Sequence, residues 1–450
     1  MDYNYHAILD GLRGHFNSGA TKPYEARLEA LNSLYAVIQE HEAEAFSALN
    51  SDLGKSPTES FISELGLVLK EISHARKNLK QWIKPKTVKT PLALWPGRSR
   101  IMYEPLGVAL LIAPWNYPLH LSLMPLVAAV AAGNCVLLKP SSQAPASGQV
   151  LRKIISQAFA PEHVGLVNID GAAATRLLEQ RFDFIFYTGS RRAGYEIMSA
   201  AACHLTPLCL ELGGKSPVLV TKSADLALAA RRIAWGKLLN AGQTCVAPDY
   251  LWVDRRVAEE FAEMLRHVFR HMLGDDPLAN PEYGRIINQA AFERLLRLAG
   301  GELVADRAAL KIAPTVIPVR PDHALMDEEI FGPLLPLLTY DDLQEALTFI
   351  SSREKSLALY LFNRDRQTEK LVLQNLSFGG GCINDVVMQV ASPWLPFGGV
   401  GGMGRYHGRA GFELFSNCKS IVRQSSFIDI PLRYPPYSAR RLDFLRRILK

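Results

Sequence analysis

The chain has 450 residues, room for two or three domains of about 100–200 residues each, so its core needs no disulfide or metal staple. Hydrophobic residues make up 48% and charged residues 21%, with 32 Gly and 27 Pro, which excludes a mainly disordered or collagen-like chain. The net charge of +6 is spread along the sequence rather than clustered, so no nucleic-acid footprint is expected.

The first sixteen residues carry His, Asp and Arg in place of a basic start and an apolar run, so no signal peptide is expected. Apolar residues recur at Leu28, Leu31, Leu34, Val37 and Ile38, then at Ile62, Leu65, Leu69, Ile72 and Leu79. That spacing predicts amphipathic helices over 24–49 and 61–83. Pro85, Pro91 and Pro96 punctuate the next segment, where Thr87-Val88-Lys89-Thr90 predicts an edge hairpin projecting from the body. The most apolar stretch, 106–138, is interrupted by Pro114, Asn116, Pro118, His120, Pro125 and Asn134. It therefore predicts a buried strand, loop and helix rather than a membrane span.

Short apolar runs at 108–113, 135–138, 164–169, 184–187 and 217–220 alternate with helical patterns, the rhythm of an α/β fold with a doubly wound parallel sheet. A second α/β series follows, with a helix at 226–239, a strand at 250–253 and a helix at 258–272. Strands at 313–316 and 334–339 and a helix at 343–350 complete it. In the tail, 420–423 predicts a strand with no obvious local partner, left to pair with the hairpin or with another subunit. Beyond it the basic stretch 440–450 is too short and too charged to cross a bilayer.

The six cysteines, at 135, 203, 209, 245, 382 and 418, show no CxxC spacing, and the 11 histidines form no HExxH cluster. Reduced thiols in a cytoplasmic protein without a zinc site are expected. Cys245 stands apart, because the turn Asn240-Ala241-Gly242-Gln243-Thr244 precedes it. A lone cysteine is more often a small buried hydrophobe, but such a turn presents a thiol where backbone N–H groups stabilise a thiolate or an oxyanion. Glu211 ends an apolar run and precedes Gly213-Gly214, which suits either a solvated turn or a partly buried base. Asn116, in Pro114-Trp115-Asn116-Tyr117-Pro118, follows a predicted strand at the sheet end where α/β folds bind ligands. Its amide is either a structural hydrogen-bonder or a donor that polarises a carbonyl. Thr188-Gly189-Ser190, with Gly194 beyond, reads as a strand, turn and helix start suited to a diphosphate, although GxGxxG is absent. Lys139-Pro140 closes another strand, where a lysine suits ribose hydroxyls or phosphate.

These segments, with Lys139-Pro140-Ser141, Glu211 to Pro217, Glu329-Ile330-Phe331-Gly332-Pro333 and Pro396-Phe397-Gly398-Gly399, resemble in order and spacing the motif set of the aldehyde dehydrogenase superfamily over nearly the whole chain. Gln243 to Tyr250, Asn384-Asp385-Val386-Val387 and Arg433-Tyr434-Pro435-Pro436-Tyr437 are similar to its class 3 branch, which includes fatty, aromatic and coniferyl aldehyde dehydrogenases. The resemblance implies an NAD(P)-binding domain at 1–84 and 103–212, a catalytic domain at 213–402, and an oligomerisation arm with the tail at 85–102 and 416–450. A homodimer acting on a small aldehyde, with no transmembrane anchor, is implied with it.

The resemblance further implies that Cys245 attacks the aldehyde, that Asn116 and the Cys245 N–H hold the oxyanion, and that Glu211 activates the water that releases the carboxylate. Glu329 either shares the base role or, with Phe331, holds the nicotinamide ribose. Trp115, Lys139, Ser142 and Gly213 join Gly189, Ser190 and Gly194 as cofactor contacts, and Tyr117 and Leu121 line the substrate pocket. Two departures carry consequences. Ser142 stands where NAD-preferring members carry Glu, which removes a repulsion toward a 2′-phosphate and implies that NADP is accepted. The segment Val400-Gly401-Gly402-Met403-Gly404 is about two residues shorter than the class 3 pattern, near the substrate entrance of relatives. Competing readings are a dehydrogenase that passes the acyl group to coenzyme A and a silent aldehyde- or cofactor-binding relative.

Overall fold

The computed structural model describes residues 4–429 and 431–448; the last two residues of the expected basic tail lie outside them. Helix α1 (Tyr5–Asn17), capped by the Asn4 side chain, opens the chain and was not foreseen from the sequence. The first expected helix divides at His41 into α2 (Tyr24–Glu40) and α3 (Glu42–Leu53), and Gly54 in the left-handed region ends α3. The second begins as α4 (Pro57–Ser60), passes through a π turn at Phe61–Leu65 and continues as α5 (Gly66–Trp82).

Strand β1 (Lys86–Val88) pairs with the longer β2 (Arg98–Pro105), so the predicted hairpin is present. Then come β3 (Val108–Ile112), α6 (His120–Ala132), β4 (Cys135–Lys139), α7 (Pro145–Ala158) and β5 (Val164–Leu166). Helix α8 (Gly171–Leu178), β6 (Phe184–Gly189), α9 (Arg191–Ala202) and β7 (Leu208–Leu212) complete a parallel sheet of order β5-β4-β3-β6-β7. Both faces of this sheet are covered, as strand alternation requires. Ala109, Leu111, Val136, Leu138 and Phe186 face the core shared with α2, α5, α6 and α7. Val108, Leu110, Leu137, Ile185 and Tyr187 face the core shared with α1 and α9.

The second unit contains β8 (Pro217–Val220), α10 (Leu226–Leu238), β9 (Tyr250–Asp254), α11 (Arg255–Leu273) and α12 (Gln289–Ala299). A small ribbon, β10 (Ala305–Asp306) with β11 (Lys311–Ile312), precedes β12 (Thr315–Pro318) and β13 (Leu334–Tyr340). Helix α13 (Leu343–Ser351), β14 (Ala358–Phe362), α14 (Arg366–Asn375) and β15 (Gly380–Ile383) finish a parallel sheet of order β12-β13-β9-β8-β14-β15. Val218, Val220, Leu251 and Tyr360 pack toward α10 and α11, and Leu219, Trp252, Leu359 and Leu361 toward α13 and α14.

The ribbon of β16 (Phe397–Gly398) and β17 (Arg405–Tyr406) leads the chain back to the first unit, where α15 (Gly408–Leu414) brings Phe412 and Phe415 into the first core. Strand β18 (Ser416–Arg423) starts four residues before the predicted strand and pairs with β2 over its full length. Its partner is thus within the chain, in the sheet β1-β2-β18. Helix α16 (Ala439–Ile448) ends the described residues, none of whose helices is long and apolar enough to cross a membrane.

The N-terminal helices are tied to the first sheet by a buried ion pair. Lys55 Nζ lies 2.6 Å from Glu64 Oε1, and both side chains are 0% exposed. The other Glu64 oxygen accepts the N–H groups of Leu119 (3.1 Å) and His120 (2.8 Å) at the start of α6. Removing one partner strands the other charge, so Lys55→Met is expected to cost about 3–5 kcal/mol, measured by denaturant unfolding. The double variant Lys55→Met/Glu64→Leu should recover part of that, not all, because two N–H groups of α6 stay unsatisfied.

Candidate active site

The loop after α10 carries the cysteine singled out by the sequence. Asn240 and Ala241 (both φ 51°) and Gly242 (φ 77°) form a left-handed run, costly for the first two because each carries a Cβ. Surrounding groups hold it in place. Glu59 Oε1 accepts the Asn240 N–H at 2.6 Å. Asn240 Nδ2 donates to the carbonyls of Asn116 (2.8 Å) and Gln243 (3.1 Å). Gln243 Nε2 donates to Arg285 O, and Gln243 Oε1 accepts the Ile287 N–H at 3.0 Å. At Gly242 a Cβ would lie 2.2 Å from the Gly332 carbonyl oxygen, so only glycine fits. The chain then makes a turn in which the Ala247 N–H donates to Thr244 O at 2.9 Å. Cys245 and Val246 are its central residues, and their N–H groups both face the Cys245 Sγ. Burial, then the charges of Glu329 and Glu211, push the thiol up to about 12, against the pull of those two N–H groups.

Asn116 Nδ2 donates one N–H to Gln243 O at 3.0 Å, which leaves its second N–H for the cavity that Asn116 and Cys245 both line. Trp115 meets Phe331 edge-to-face, with ring centroids 5.5 Å apart, and Leu121 completes this wall. Tyr117 corrects the sequence reading, since it does not line the cavity. Its buried hydroxyl needs a partner, and it shares a hydrogen bond with Thr244 Oγ1 at 2.5 Å behind the cysteine loop. Lys55 Nζ sits 3.9 Å from the centroid of its ring.

Two carboxyl groups share the cavity with the thiol. Glu211, on β7, is buried with its carboxylate against Gly398, where a Cβ would come within 2.0 Å of Oε1. Burial pushes it well above the usual carboxylate range. The glycine-rich segment 400–404 lies directly on that strand, with Leu210 and Met403 exchanging both backbone hydrogen bonds at 2.9 and 2.8 Å. Glu329 rests against Gly213 and accepts the Gly214 N–H. Burial, then the Asp249 charge, push it up to about 8, while Lys215 and Arg294 pull it back. Glu329 therefore holds a proton near neutrality and becomes a base only as pH rises.

The rest of the cavity, about 730 Å³ in all, runs to the β6–α9 turn. Gly189, Ser190 and the half-buried Gly213 line it, and Ser190 Oγ caps α9 by accepting the Ala193 N–H. Thr188 Oγ1 is buried there with no protein partner among the described residues. That unmet hydroxyl and the free N–H groups of the capped helix fit a dinucleotide's polar groups. Arg191 and Glu354 form an ion pair across its edge. Gly194 lies beneath Leu212 instead of in the wall, and Lys139 and Ser142 lie outside this cavity, at the end of β4 and in the exposed turn before α7. Among the described residues no cluster of side chains is arranged to hold a metal. Sequence reasoning missed Lys55 and Glu59, which lie between the two predicted helices, and Glu64, because a charged residue in a helical pattern reads as a solvated face. It quoted Asn240 and Gln243 without a role, since neither spacing nor charge marks them.

The sequence profile of the aldehyde dehydrogenase family matches residues 5–421. The chain belongs to the aldehyde dehydrogenase family. It is 42% identical to 4,4'-diaponeurosporen-aldehyde dehydrogenase of Staphylococcus aureus, covering 94% of this chain and 95% of that protein. It is 44% identical to human aldehyde dehydrogenase family 3 member B1, covering 97% and 96%. The substrate-bound structure of Staphylococcus aureus AldH superposes with a TM-score of 0.96 at 40% identity, over the whole of both chains. This aldehyde dehydrogenase is thus an oxidoreductase acting on aldehydes, and its cavity unites the thiol, amide and carboxyls that the motifs singled out.

With Glu329 pushed up to about 8, turnover that depends on it falls as pH drops below that value and rises above it. The expected outcome is a rising limb near pH 8 in initial rates across roughly pH 6 to 10, flattened by Glu329→Gln. A limb that survives in that variant and vanishes in Glu211→Gln assigns the limiting titration to Glu211.

Proposed function

We propose that this aldehyde dehydrogenase oxidises apolar aldehydes, aromatic or medium-chain aliphatic, to carboxylates with NADP or NAD, through a thioester on Cys245. The observation that carries the reading is that Cys245, Asn116, Glu211 and Glu329 line one cavity with the β6–α9 turn. Asn116 and the Cys245 N–H receive the oxyanion formed when the Cys245 thiolate adds to the carbonyl carbon. Proton removal from that thiol falls to a carboxyl in the same cavity, since burial disfavours a free thiolate. Thr188, Gly189, Ser190, Trp115 and Phe331 would hold the dinucleotide, which when bound supplies the hydride acceptor that turns the thiohemiacetal into a thioester. Glu211 then takes a proton from the water that hydrolyses it, a role suited to its raised pKa.

Leu121, Phe397 and Leu357 in the wall support an apolar substrate, as does a relative named for 4,4'-diaponeurosporen-aldehyde. The exposed Ser142 supports acceptance of a 2′-phosphate, because no carboxylate repels it there. A cytoplasmic homodimer completes the reading. It is supported by six free cysteines, by the exposed outer strand β18, and by apolar residues such as Phe427, Tyr437 and Phe444 exposed in the tail.

Two measurements test it. Cys245→Ser should lower NADPH formation from benzaldehyde by about three orders of magnitude or more, with cofactor binding by nucleotide fluorescence intact. Full turnover only on adding coenzyme A would instead favour an acylating enzyme. Ser142→Glu should shift the ratio of kcat/KM for NADP over NAD by about tenfold or more toward NAD, through repulsion of the 2′-phosphate.

A further inference from the structure

The turn that presents Cys245 is tied to a chain of buried and half-buried hydrogen bonds that the oxidation chemistry leaves unused. Tyr360 lies on β14, is 0% exposed, and packs in the same core as Val246, Leu239 and Val386. Its hydroxyl donates to the Val246 carbonyl at 2.5 Å. It accepts from Gln389 Nε2 at 3.1 Å, and Gln389 Oε1 in turn accepts from the Cys382 thiol at 3.0 Å. The peptide unit between Val246 and Ala247 is therefore held at both ends, its carbonyl by Tyr360 and its N–H by the Thr244 carbonyl. That unit closes the turn whose two central N–H groups face the Cys245 Sγ. A buried carbonyl without a donor reorients or draws in water, and either change loosens the turn.

We propose that Tyr360, braced by Gln389, is a positioning residue that keeps the Cys245 and Val246 N–H groups aimed at the reacting sulfur and at the oxyanion that forms beside it. The inference rests on the reading of Cys245 as nucleophile. Tyr360 touches neither sulfur nor substrate and acts through the Val246 carbonyl. The charged and titratable groups facing Cys245 are Glu211 and Glu329, with Tyr117, Tyr406 and Tyr360 itself nearby. Tyr360→Phe leaves the first four in place and removes a phenol that burial keeps protonated, so a rise in the thiol's titration reports the turn.

The test is the pH profile of iodoacetamide alkylation at Cys245, followed on its own peptide by mass spectrometry so that the other five thiols do not enter. Tyr360→Phe should move the profile to higher pH, lowering alkylation at a fixed alkaline pH by about tenfold for each unit moved. It should also lower kcat by about tenfold through the misaimed oxyanion donor, with the cofactor KM unchanged. A purely structural role would lower the thermal midpoint and leave profile and kcat alone, and that result in folded Tyr360→Phe overturns the proposal. Should Tyr360→Phe fail to fold, Gln389→Leu carries the test, with the same direction and a smaller shift expected and an unmoved profile as the overturning result. Failure of the nucleophile reading is separate: it would show as full activity of Cys245→Ser.

Discussion

The backbone carbonyl of Asn116 is where the molecule is joined. It accepts the Lys55 ammonium at 3.0 Å and the Asn240 side-chain amide at 2.8 Å. Lys55 comes from the N-terminal helices, Asn116 from the end of the first sheet, and Asn240 from the cysteine loop of the second unit. A buried carbonyl that receives a charged and a neutral donor together fixes three segments in one geometry. Glu64 completes the junction by compensating Lys55 and capping α6, so charge neutrality and hydrogen-bond satisfaction are met by the same four groups. Any of these donors lost would leave a buried polar group unpaired, which is costlier than the bond itself is stabilising.

That junction makes a strained loop tenable. Asn240 and Ala241 occupy left-handed backbone that carries a Cβ penalty, and Glu59, Asn116, Gln243 and the Gly332 carbonyl leave the chain no other path. The outcome is a thiol at the end of an enforced turn rather than on a mobile loop. The two carboxyls are placed by the opposite device, open space made by glycine: Gly398 beside Glu211 and Gly213 beside Glu329. Burial then raises both carboxyls and the thiol together, because each loses the water that would stabilise its charge.

The doubly wound architecture was legible because buried parallel strands read as continuous apolar runs, and five of them stood out between helices. The weaker elements were those whose residues do not alternate or repeat. Strand β2, with Arg98, Arg100 and Glu104 along it, has no continuous apolar run to mark it, yet it carries the pairing of both β1 and β18. Strand β18 had no local partner, and of the two partners left open it takes the hairpin, more than 300 residues earlier in the chain, because pairing leaves no local pattern. Tyr117 was read into the pocket because it adjoins Asn116, but its buried phenol takes Thr244 Oγ1 as its hydrogen-bond partner behind the cysteine loop.

The sequence by itself determined the fold class and the order of the motifs, because these depend on residue types at local spacings, and the resemblance that the motifs carry singled out the thiol, amide and carboxyls. Only the tertiary structure decided that Cys245, Asn116, Glu211 and Glu329 share one cavity, and that Lys55, Glu59, Glu64 and Tyr360 hold its walls. The physical reason is that a buried charge or hydroxyl is tolerated only where a partner from elsewhere in the chain meets it, and folding alone brings such partners together.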